Sequence, residues 1–159
     1  MRVPAIAALI VFAPVDGMLL GMSCEPGKPH TETDSPIVDA KVLFVEDEET
    51  LRQAVAKMLE KRGFSVIEAR EGRTAIDILR RNSSHIGVVL LDVKLPDAGG
   101  VDVFFDMCLI NPAIKVILTT GFNVELAAAS AGKRRPWGVI QKPYEIDELA
   151  SLLRTALAA

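Results

Sequence analysis

The sequence has little of what marks a disulfide-rich, membrane-spanning or nucleic-acid-binding protein. Only two cysteines, Cys24 and Cys108, occur in 159 residues, far apart and without metal-ligand spacing, which favours a reducing compartment. A net charge of −3 with mixed signs supplies no broad basic field for nucleic acid. The apolar stretch at 3–15 contains two prolines and is shorter than the ~20 residues of a membrane-spanning helix. The composition, 50% apolar and 25% charged, suits one globular domain with some additional chain.

The chain is predicted to divide near residue 37. Residues 1–36 form an N-terminal extension whose apolar first half could be a secretory or lipoprotein leader, or an artefact of start-site choice, since Met18 or Met22 could also begin the chain. The second half of this extension is rich in Pro, Gly, Thr and acidic residues without a periodic apolar face, which is typical of a flexible tail. Residues 37–159 form the predicted domain.

From residue 40 onward, strand patterns alternate with helix patterns. Strands are predicted at 41–45, 64–69, 88–92, 114–118 and 139–141, and helices at 50–62, 73–81, 101–109, 124–131 and from Ile146 onward. The run at 88–91 is wholly apolar, which indicates a strand buried on both faces. The alternation predicts an α/β fold with a five-stranded parallel sheet, right-handed crossovers and helices on both faces.

Two helix faces are predicted from the spacing of apolar residues. In the first helix the inward face comprises Leu51, Val55, Met58 and Leu59, with Gly63 placed to end the helix. In the third helix the apolar residues recur at i, i+3, i+4, i+7 and i+8, namely Val101, Phe104, Phe105, Cys108 and Leu109. Cys108 is therefore predicted to be a packed thiol.

Polar side chains stand where the predicted strands end. Glu46 and Asp47 follow the first strand, Asp92 ends the third, Thr120 follows the fourth and Lys142 follows the fifth. In a parallel sheet these residues converge on one edge. Three carboxylates there repel one another unless a cation lies among them, and an all-oxygen site with few protein ligands suits Mg²⁺ that retains its waters. A carboxylate beside a divalent ion, an ammonium and a hydroxyl is equipped to attack a phosphoryl group.

Four segments in this order resemble the marks of the receiver domain of two-component response regulators, of the stand-alone CheY-like kind: 44–48 (FVEDE), 90–96 (LLDVKLP), 118–121 (LTTG) and 141–144 (QKPY). The resemblance covers residues 37–157. It implies a flavodoxin-like, doubly wound (βα)5 sandwich with strand order 2-1-3-4-5. It also implies phosphorylation of an aspartate by a histidine kinase or a histidine phosphotransfer protein.

By position, the resemblance implies a role for each acidic residue at the edge. Asp92 would be the phosphoacceptor, and Mg²⁺ would be held by Glu46, Asp47, Asp92 and the backbone carbonyl of Val93. Glu46 stands where aspartate is commoner in the family, and its longer side chain could still reach the ion through water. Apart from the metal, no cofactor is implied.

The resemblance also implies how the switch would work. Thr120 would contact the phosphoryl group and report its presence, Lys142 would pair with the phosphate, and the bond before Pro143 would be cis, as is usual in the family. One departure is at Val139, where the family usually has Tyr or Phe that swings inward when the threonine moves. Trp137 is displaced by two residues and is expected at the start of the fifth strand.

The implied function is a phosphorylation switch rather than an enzyme, with slow self-hydrolysis of its acyl phosphate. The switch would pass its signal to an unknown downstream protein by contact or pass the phosphoryl group onward, without direct binding to nucleic acid or membrane. Because kinases and ATP are cytoplasmic, the expected location is the cytoplasm, which conflicts with a leader.

Three alternatives stay open at this point. The segment could be a receiver from a hybrid sensor kinase, or a docking receiver that takes no phosphate. A phosphatase of the haloacid dehalogenase type would need Asp-x-Asp, whereas this chain has Asp92-Val93-Lys94. The basic run at 133–135 is interpreted as a solvated loop, with a binding patch as the alternative. Nucleotide-binding loops of the G-x-G-x-x-G or P-loop kind follow none of the strands.

Overall fold

The computed structural model describes residues 40–121 and 134–159. The described residues form five strands and four helices, which in chain order are β1 Lys41–Val45, α1 Glu49–Glu60, β2 Val66–Ala69, α2 Gly72–Asn82, β3 Ile86–Asp92, α3 Gly100–Ile110, β4 Lys115–Thr120, β5 Gly138–Gln141 and α4 Ile146–Ala158. The predicted extension at 1–36 and the predicted helix at 124–131 lie outside the described residues. None of the helices in the described ranges has the length and apolar character needed to span a bilayer.

All five strands are parallel and lie in the order β2-β1-β3-β4-β5, which confirms the predicted sheet. The register places Phe44 beside Leu90, Leu90 beside Ile117, and Leu118 beside Val139. The residues of β3 from Val88 to Leu91 are fully buried, as its apolar run predicts. Because the strands run the same way, their carboxyl ends form one edge of the sheet.

Alternate strand residues pack on opposite faces of the sheet. One face, here called the α1–α4 face, packs against α1 and α4, and its strand residues are Val42, Phe44, Val88, Leu90, Ile117 and Ile140. The other, the α2–α3 face, packs against α2 and α3 through Leu43, Val45, Val89, Leu91, Val116, Leu118 and Val139. Two apolar layers on one parallel sheet give the doubly wound fold.

Two of the residues predicted to face inward are exposed instead. Leu109 is 77% exposed and Met58 is 44% exposed, so both predictions are wrong. In α3 the buried side chains are Val103, Phe104, Met107 and Cys108, because Asp102 and Asp106 face solvent and Leu109, three residues after Asp106, lies on their side of the helix. In α1 the small Ala56 faces inward and Met58 turns to solvent. Cys108 is buried, as predicted.

Several element ends also differ from the predicted bounds, by one or two residues. Gly63 does follow α1 with a φ of 87°, a left-handed conformation that favours glycine. The amide of Phe64 still donates to the carbonyl of Leu59, so β2 begins at Val66 rather than at residue 64. At the other end of the sheet, Thr119 and Thr120 belong to β4 and do not follow it, because the pairing with β5 continues to Thr120.

Candidate functional site

The polar residues predicted to converge do meet at the carboxyl edge of the sheet. Asp92 is the last residue of β3, Glu46 comes directly after β1, and Lys142 comes directly after β5. The Lys142 Nζ lies 2.7 Å from Asp92 Oδ2 and 2.6 Å from Glu46 Oε2. One ammonium thus joins the ends of three strands, and the bond between Lys142 and Pro143 is cis, as expected.

Both carboxylate oxygens of Asp92 accept hydrogen bonds. Oδ2 accepts a hydrogen bond from the Lys142 ammonium, and Oδ1 accepts one from the backbone N–H of Lys94 at 3.0 Å. The residue is 6% exposed. A buried carboxylate with both oxygens bonded has a fixed orientation toward whatever approaches the edge of the sheet.

Three carboxylates form a cluster that could hold a metal ion. Glu46, Asp47 and Asp92 each offer an oxygen, and these oxygens lie within 4.8 Å of one another. Glu46 is 1% exposed, whereas Asp47 is open to solvent. With one ammonium against three carboxylates, two negative charges remain in excess, which matches a divalent cation. The all-oxygen donor set with one exposed member fits Mg²⁺, which keeps several of its waters.

The backbone of Val93 is fixed by two hydrogen bonds. Its N–H donates to the carbonyl of Thr119, and its carbonyl accepts the N–H of Gly100, both at 3.0 Å. A carbonyl oxygen has a second lone pair, so this bond still permits the metal-ligand role expected for Val93. A Cβ on Gly100 would overlap the Asp92 carbonyl oxygen and lie 2.6 Å from the Val93 Cα. Only glycine therefore lets α3 begin this close to the end of β3.

Burial and ion pairing shift the pKa values of the ionisable groups at this edge of the sheet. Burial raises the pKa of the Glu46 carboxyl, and the Lys142 ammonium opposes that shift. Burial alone would lower the pKa of Lys142, but the hydrogen bonds to Asp92 and Glu46 outweigh it, so the pKa is raised. Lys142 is therefore charged at neutral pH. Burial also raises the pKa of the nearby Tyr144 phenol to about 12.

The two neighbouring threonines at the end of β4 are both buried but face different sides. Thr119 pairs with Asp92 in the sheet register, and its hydroxyl is buried without a hydrogen-bond partner among the described residues. Thr120 follows Leu118 by two positions and so shares the α2–α3 face. The backbone carbonyl of Thr120 accepts the N–H of Lys142 at 2.7 Å.

The departure from the family pattern at β5 is visible in the packing. Val139 is 2% exposed in the core of the α2–α3 face, where an aromatic residue is usual. Trp137 comes just before β5, as expected, and packs on the α1–α4 face. Its backbone N–H donates to the carbonyl of Val116. The ring of Trp137 therefore lies on the opposite side of the sheet from Val139.

Two side chains that the sequence analysis did not identify form hydrogen bonds with backbone groups near the site. Arg52, on α1, donates from Nη1 to the backbone carbonyl of Glu46 at 2.8 Å and from Nε to Glu68 Oε2 at 3.2 Å. Asp97, in the loop after β3, accepts the backbone N–H groups of Gly72 and Arg73 at 3.0 Å each.

The Asp97 contacts cap a helix from a distant part of the chain. Burial is the largest single influence and would raise the pKa of Asp97, but the backbone N–H donors and the charge of Arg73 together outweigh it and lower the pKa, so the capping carboxylate is charged. The available signal in the sequence is Glu71, which stands at the N-cap of α2 and makes no side-chain cap bond. A helix without its own cap requires a partner from elsewhere.

The remaining charged residues singled out from the sequence lie outside the cluster. Arg134 is exposed but donates to the carbonyl of Cys108 at 2.8 Å, and so caps the end of α3 rather than only facing solvent. Arg135 and His85 are exposed. Lys133 lies outside the described residues.

A family sequence profile identifies the domain. The profile of the response regulator receiver domain matches residues 42–154. The chain therefore belongs to the response regulator receiver family, whose domains act in two-component phosphorelays as signalling switches.

Curated relatives carry this domain in proteins of very different length. The chain is 29% identical to the sensor kinase CckA of Brucella abortus over 118 residues, covering 74% of this chain and 12% of the kinase. It is 28% identical to sporulation initiation phosphotransferase F of Bacillus subtilis over 124 residues, covering 76% of this chain and 96% of that protein. Among several other relatives, the chain spans from 25% to 49% of their length.

Solved structures show the same fold. A response regulator receiver domain protein from Clostridium thermocellum is 29% identical and superposes with a TM-score of 0.71. The alignment covers 75% of this chain and 94% of that one. In open α/β sheets of this kind, ligands bind at the carboxyl ends of the strands.

Proposed function

We propose that Asp92 is the phosphoacceptor of this receiver domain and that the phosphoryl group comes from a histidine kinase or a histidine phosphotransfer protein. The observation that carries the proposal is the position of the Asp92 carboxylate. It ends the central strand, both of its oxygens are bonded, and it shares the Lys142 ammonium with Glu46.

The proposed reaction is a transfer between two protein side chains. A carboxylate oxygen of Asp92 forms the new P–O bond as the P–N bond of the donor phosphohistidine breaks, and the electron pair leaves on the imidazole nitrogen. The Lys142 ammonium lies within reach of both Asp92 and Glu46, so it can stay close to the charge that the transferred group brings. The Lys94 N–H keeps the carboxylate oriented during the approach.

Glu46, Asp47, Asp92 and the carbonyl of Val93 are the groups proposed to hold Mg²⁺. The support is the cluster of three carboxylate oxygens within 4.8 Å and the excess of negative charge that Lys142 leaves uncompensated. Bound Mg²⁺ would neutralise negative charge on the phosphoryl oxygens. The exposed Asp47 gives the ion an open side toward solvent.

Thr120 is proposed to report the phosphoryl group. Its position at the carboxyl end of β4, on the side of Val139, supports a role in biasing two conformations of the domain. The signal would then pass to a downstream protein by contact. With valine at position 139, the response would have to proceed without a ring that swings inward.

The proposed setting is a cytoplasmic phosphorelay, because histidine kinases and ATP are found there. The similarity to the sensor kinase CckA favours a second setting, in which the domain serves as the receiver of a hybrid kinase. A phosphatase has less support, because position 94 is a lysine and the haloacid dehalogenase pattern requires an acid there. The division into an extension at 1–36 and a domain at 37–159 stays a prediction.

The test is phosphorylation by acetyl phosphate with and without Mg²⁺, read by intact mass. The wild type should gain one phosphoryl group only with Mg²⁺, and Asp92→Asn should gain none. Asp106→Asn, which changes an exposed carboxylate on α3, should behave like the wild type.

Each of the other outcomes would favour a different function for this domain. An adduct that persists in Asp92→Asn would show that another residue is the acceptor. Mg²⁺ binding without any adduct would favour a docking receiver, and rapid turnover of acetyl phosphate would favour a phosphatase.

A further inference from the structure

Arg52 lies behind the acidic cluster and contacts its backbone rather than its carboxylates. The side chain comes from the first turn of α1 and is only 11% exposed. Side chains on a helix point toward its N-terminus, which directs this guanidinium to the loop between β1 and α1. There Nη1 donates to the carbonyl of Glu46 at 2.8 Å.

This contact completes the fixing of Glu46. The backbone N–H of Glu46 donates to Ala69 in β2 at 3.1 Å, which extends the strand pairing by one residue. Its carbonyl accepts from Arg52, so both backbone groups of this residue are bonded. A buried backbone group left without a partner costs about 1–3 kcal/mol. The peptide that joins Glu46 to Asp47 is thereby held in one orientation.

The Glu68 carboxylate orients the guanidinium of Arg52. Its Oε2 lies 3.2 Å from Arg52 Nε, on the neighbouring strand β2, so α1, the β1 end and β2 are joined by one side chain. The two contacts use two different nitrogens of a rigid planar group. A lysine at this position has a single terminal nitrogen and could not reproduce the same pair of contacts with the same geometry.

The charge of Arg52 argues against a simple electrostatic function. A positive charge at the start of a helix is unfavourable to the helix dipole. It would also repel a cation bound by Glu46 and Asp47. If charge alone mattered, removing Arg52 would strengthen Mg²⁺ binding, whereas a positioning function makes the opposite prediction.

We infer that Arg52 is a positioning residue for the metal site, fixing the backbone that presents Glu46 and Asp47 through its contacts with the Glu46 carbonyl and Glu68. This inference rests on the proposed function of the acidic cluster as a Mg²⁺ site. It concerns a residue that does not touch the ion.

The test compares Arg52→Met with Arg62→Met by calorimetric titration of Mg²⁺. Both substitutions remove one positive charge, but Arg62 lies just beyond the other end of α1 and pairs with Asp147 at 2.6 Å. Arg52→Met should raise the Kd for Mg²⁺ about tenfold, as loss of an outer-shell partner does in other metal sites. Arg62→Met should leave it unchanged, and Arg52→Lys should lie between. At saturating Mg²⁺, Arg52→Met should recover most of the wild-type phosphorylation rate.

A metal-free measurement tests the same idea independently. Amide hydrogen exchange at Asp47 and Glu48, which precede α1, should be faster in Arg52→Met than in the wild type, with exchange at the amides of α1 unchanged. A Kd for Mg²⁺ equal to or tighter than that of the wild type, or unchanged exchange at these amides, would overturn the inference. Asp47→Asn separates the two proposals: if it fails to weaken Mg²⁺ binding, the metal site itself is wrong, whatever Arg52 does.

Discussion

The two faces of the sheet differ sharply at its carboxyl edge. On the α1–α4 face, Asp92 and Thr119 occupy neighbouring strand positions, and Asp92 meets the ammonium of Lys142. On the α2–α3 face, Thr120 is the last residue of β4, and Val139 pairs with Leu118 within the apolar core. One face carries paired charge, and the other carries a hydroxyl against apolar packing.

This difference separates two adjacent residues of β4. Thr119 and Thr120 are consecutive, yet strand alternation sends their side chains to opposite sides. A substitution at Thr119 acts on the side of Asp92, whereas one at Thr120 acts on the side of Val139. The proposed chemistry and the proposed signal can therefore be disturbed one at a time.

The largest expected effect is on the α2–α3 face, at Gly100. An alanine Cβ there would overlap the Asp92 carbonyl oxygen, and backbone cannot move aside as a flexible side chain can. Gly100→Ala should lower the free energy of unfolding by about 3 kcal/mol, measured by urea denaturation. Because α3 must shift away from β3, the variant should also bind Mg²⁺ more weakly.

Gly121→Ala is the matched control for this substitution. A Cβ at Gly121 has nothing within 4 Å, so its free energy of unfolding should stay within about 0.5 kcal/mol of the wild type. Equal stability of the two variants would show that α3 does not approach β3 as closely as described.

The elements that the sequence predicts well are those governed by a local period. The uniform apolar run of β3 predicts its central place, and the ends of β1, β3, β4 and β5 predict which polar residues meet. The contact of Lys142 with both Asp92 and Glu46 follows from that convergence. The rotation of α3 does not follow from the spacing of its apolar residues alone, because they fit more than one face, and only Asp102 and Asp106, four residues apart, mark the exposed side.

Contacts between a side chain and a distant backbone group leave almost no trace in a single sequence. Arg52 looks like any charged residue on a helix surface, and its bond to the Glu46 carbonyl depends on how α1 leaves the sheet. Asp97 looks like an ordinary turn residue, although it caps α2 from 25 positions away. These contacts are set by tertiary geometry, which periodicity does not report.

Thr120→Ala should separate phosphorylation from signalling. The substitution leaves Asp92, Lys142 and the acidic cluster in place, so the phosphoryl adduct should still form with acetyl phosphate and Mg²⁺. It removes the hydroxyl proposed to respond on the α2–α3 face. In ¹H–¹⁵N spectra, phosphorylation of the wild type should shift the amides of β5, and in the variant the shifts should be confined to the surroundings of Asp92.

The same spectra would also reveal a result that contradicts the proposed role of Thr120. If the β5 amides of Thr120→Ala shift as far as those of the wild type, Thr120 does not report the phosphoryl group. Thr120→Ser provides the control, because it keeps the hydroxyl and should restore the wild-type pattern.

The smallest expected effect is at Thr119, on the α1–α4 face. Its hydroxyl is fully buried and has no hydrogen-bond partner in the described part of the chain, so it costs free energy that an apolar group of the same shape would not. Thr119→Val should therefore raise the free energy of unfolding by up to about 1 kcal/mol, with phosphorylation and the β5 shifts unchanged. If Thr119→Val instead lowers the free energy of unfolding by about 1 kcal/mol, the hydroxyl is hydrogen-bonded to a buried water in the wild type. In that case the α1–α4 face would contain a buried polar site close to Asp92.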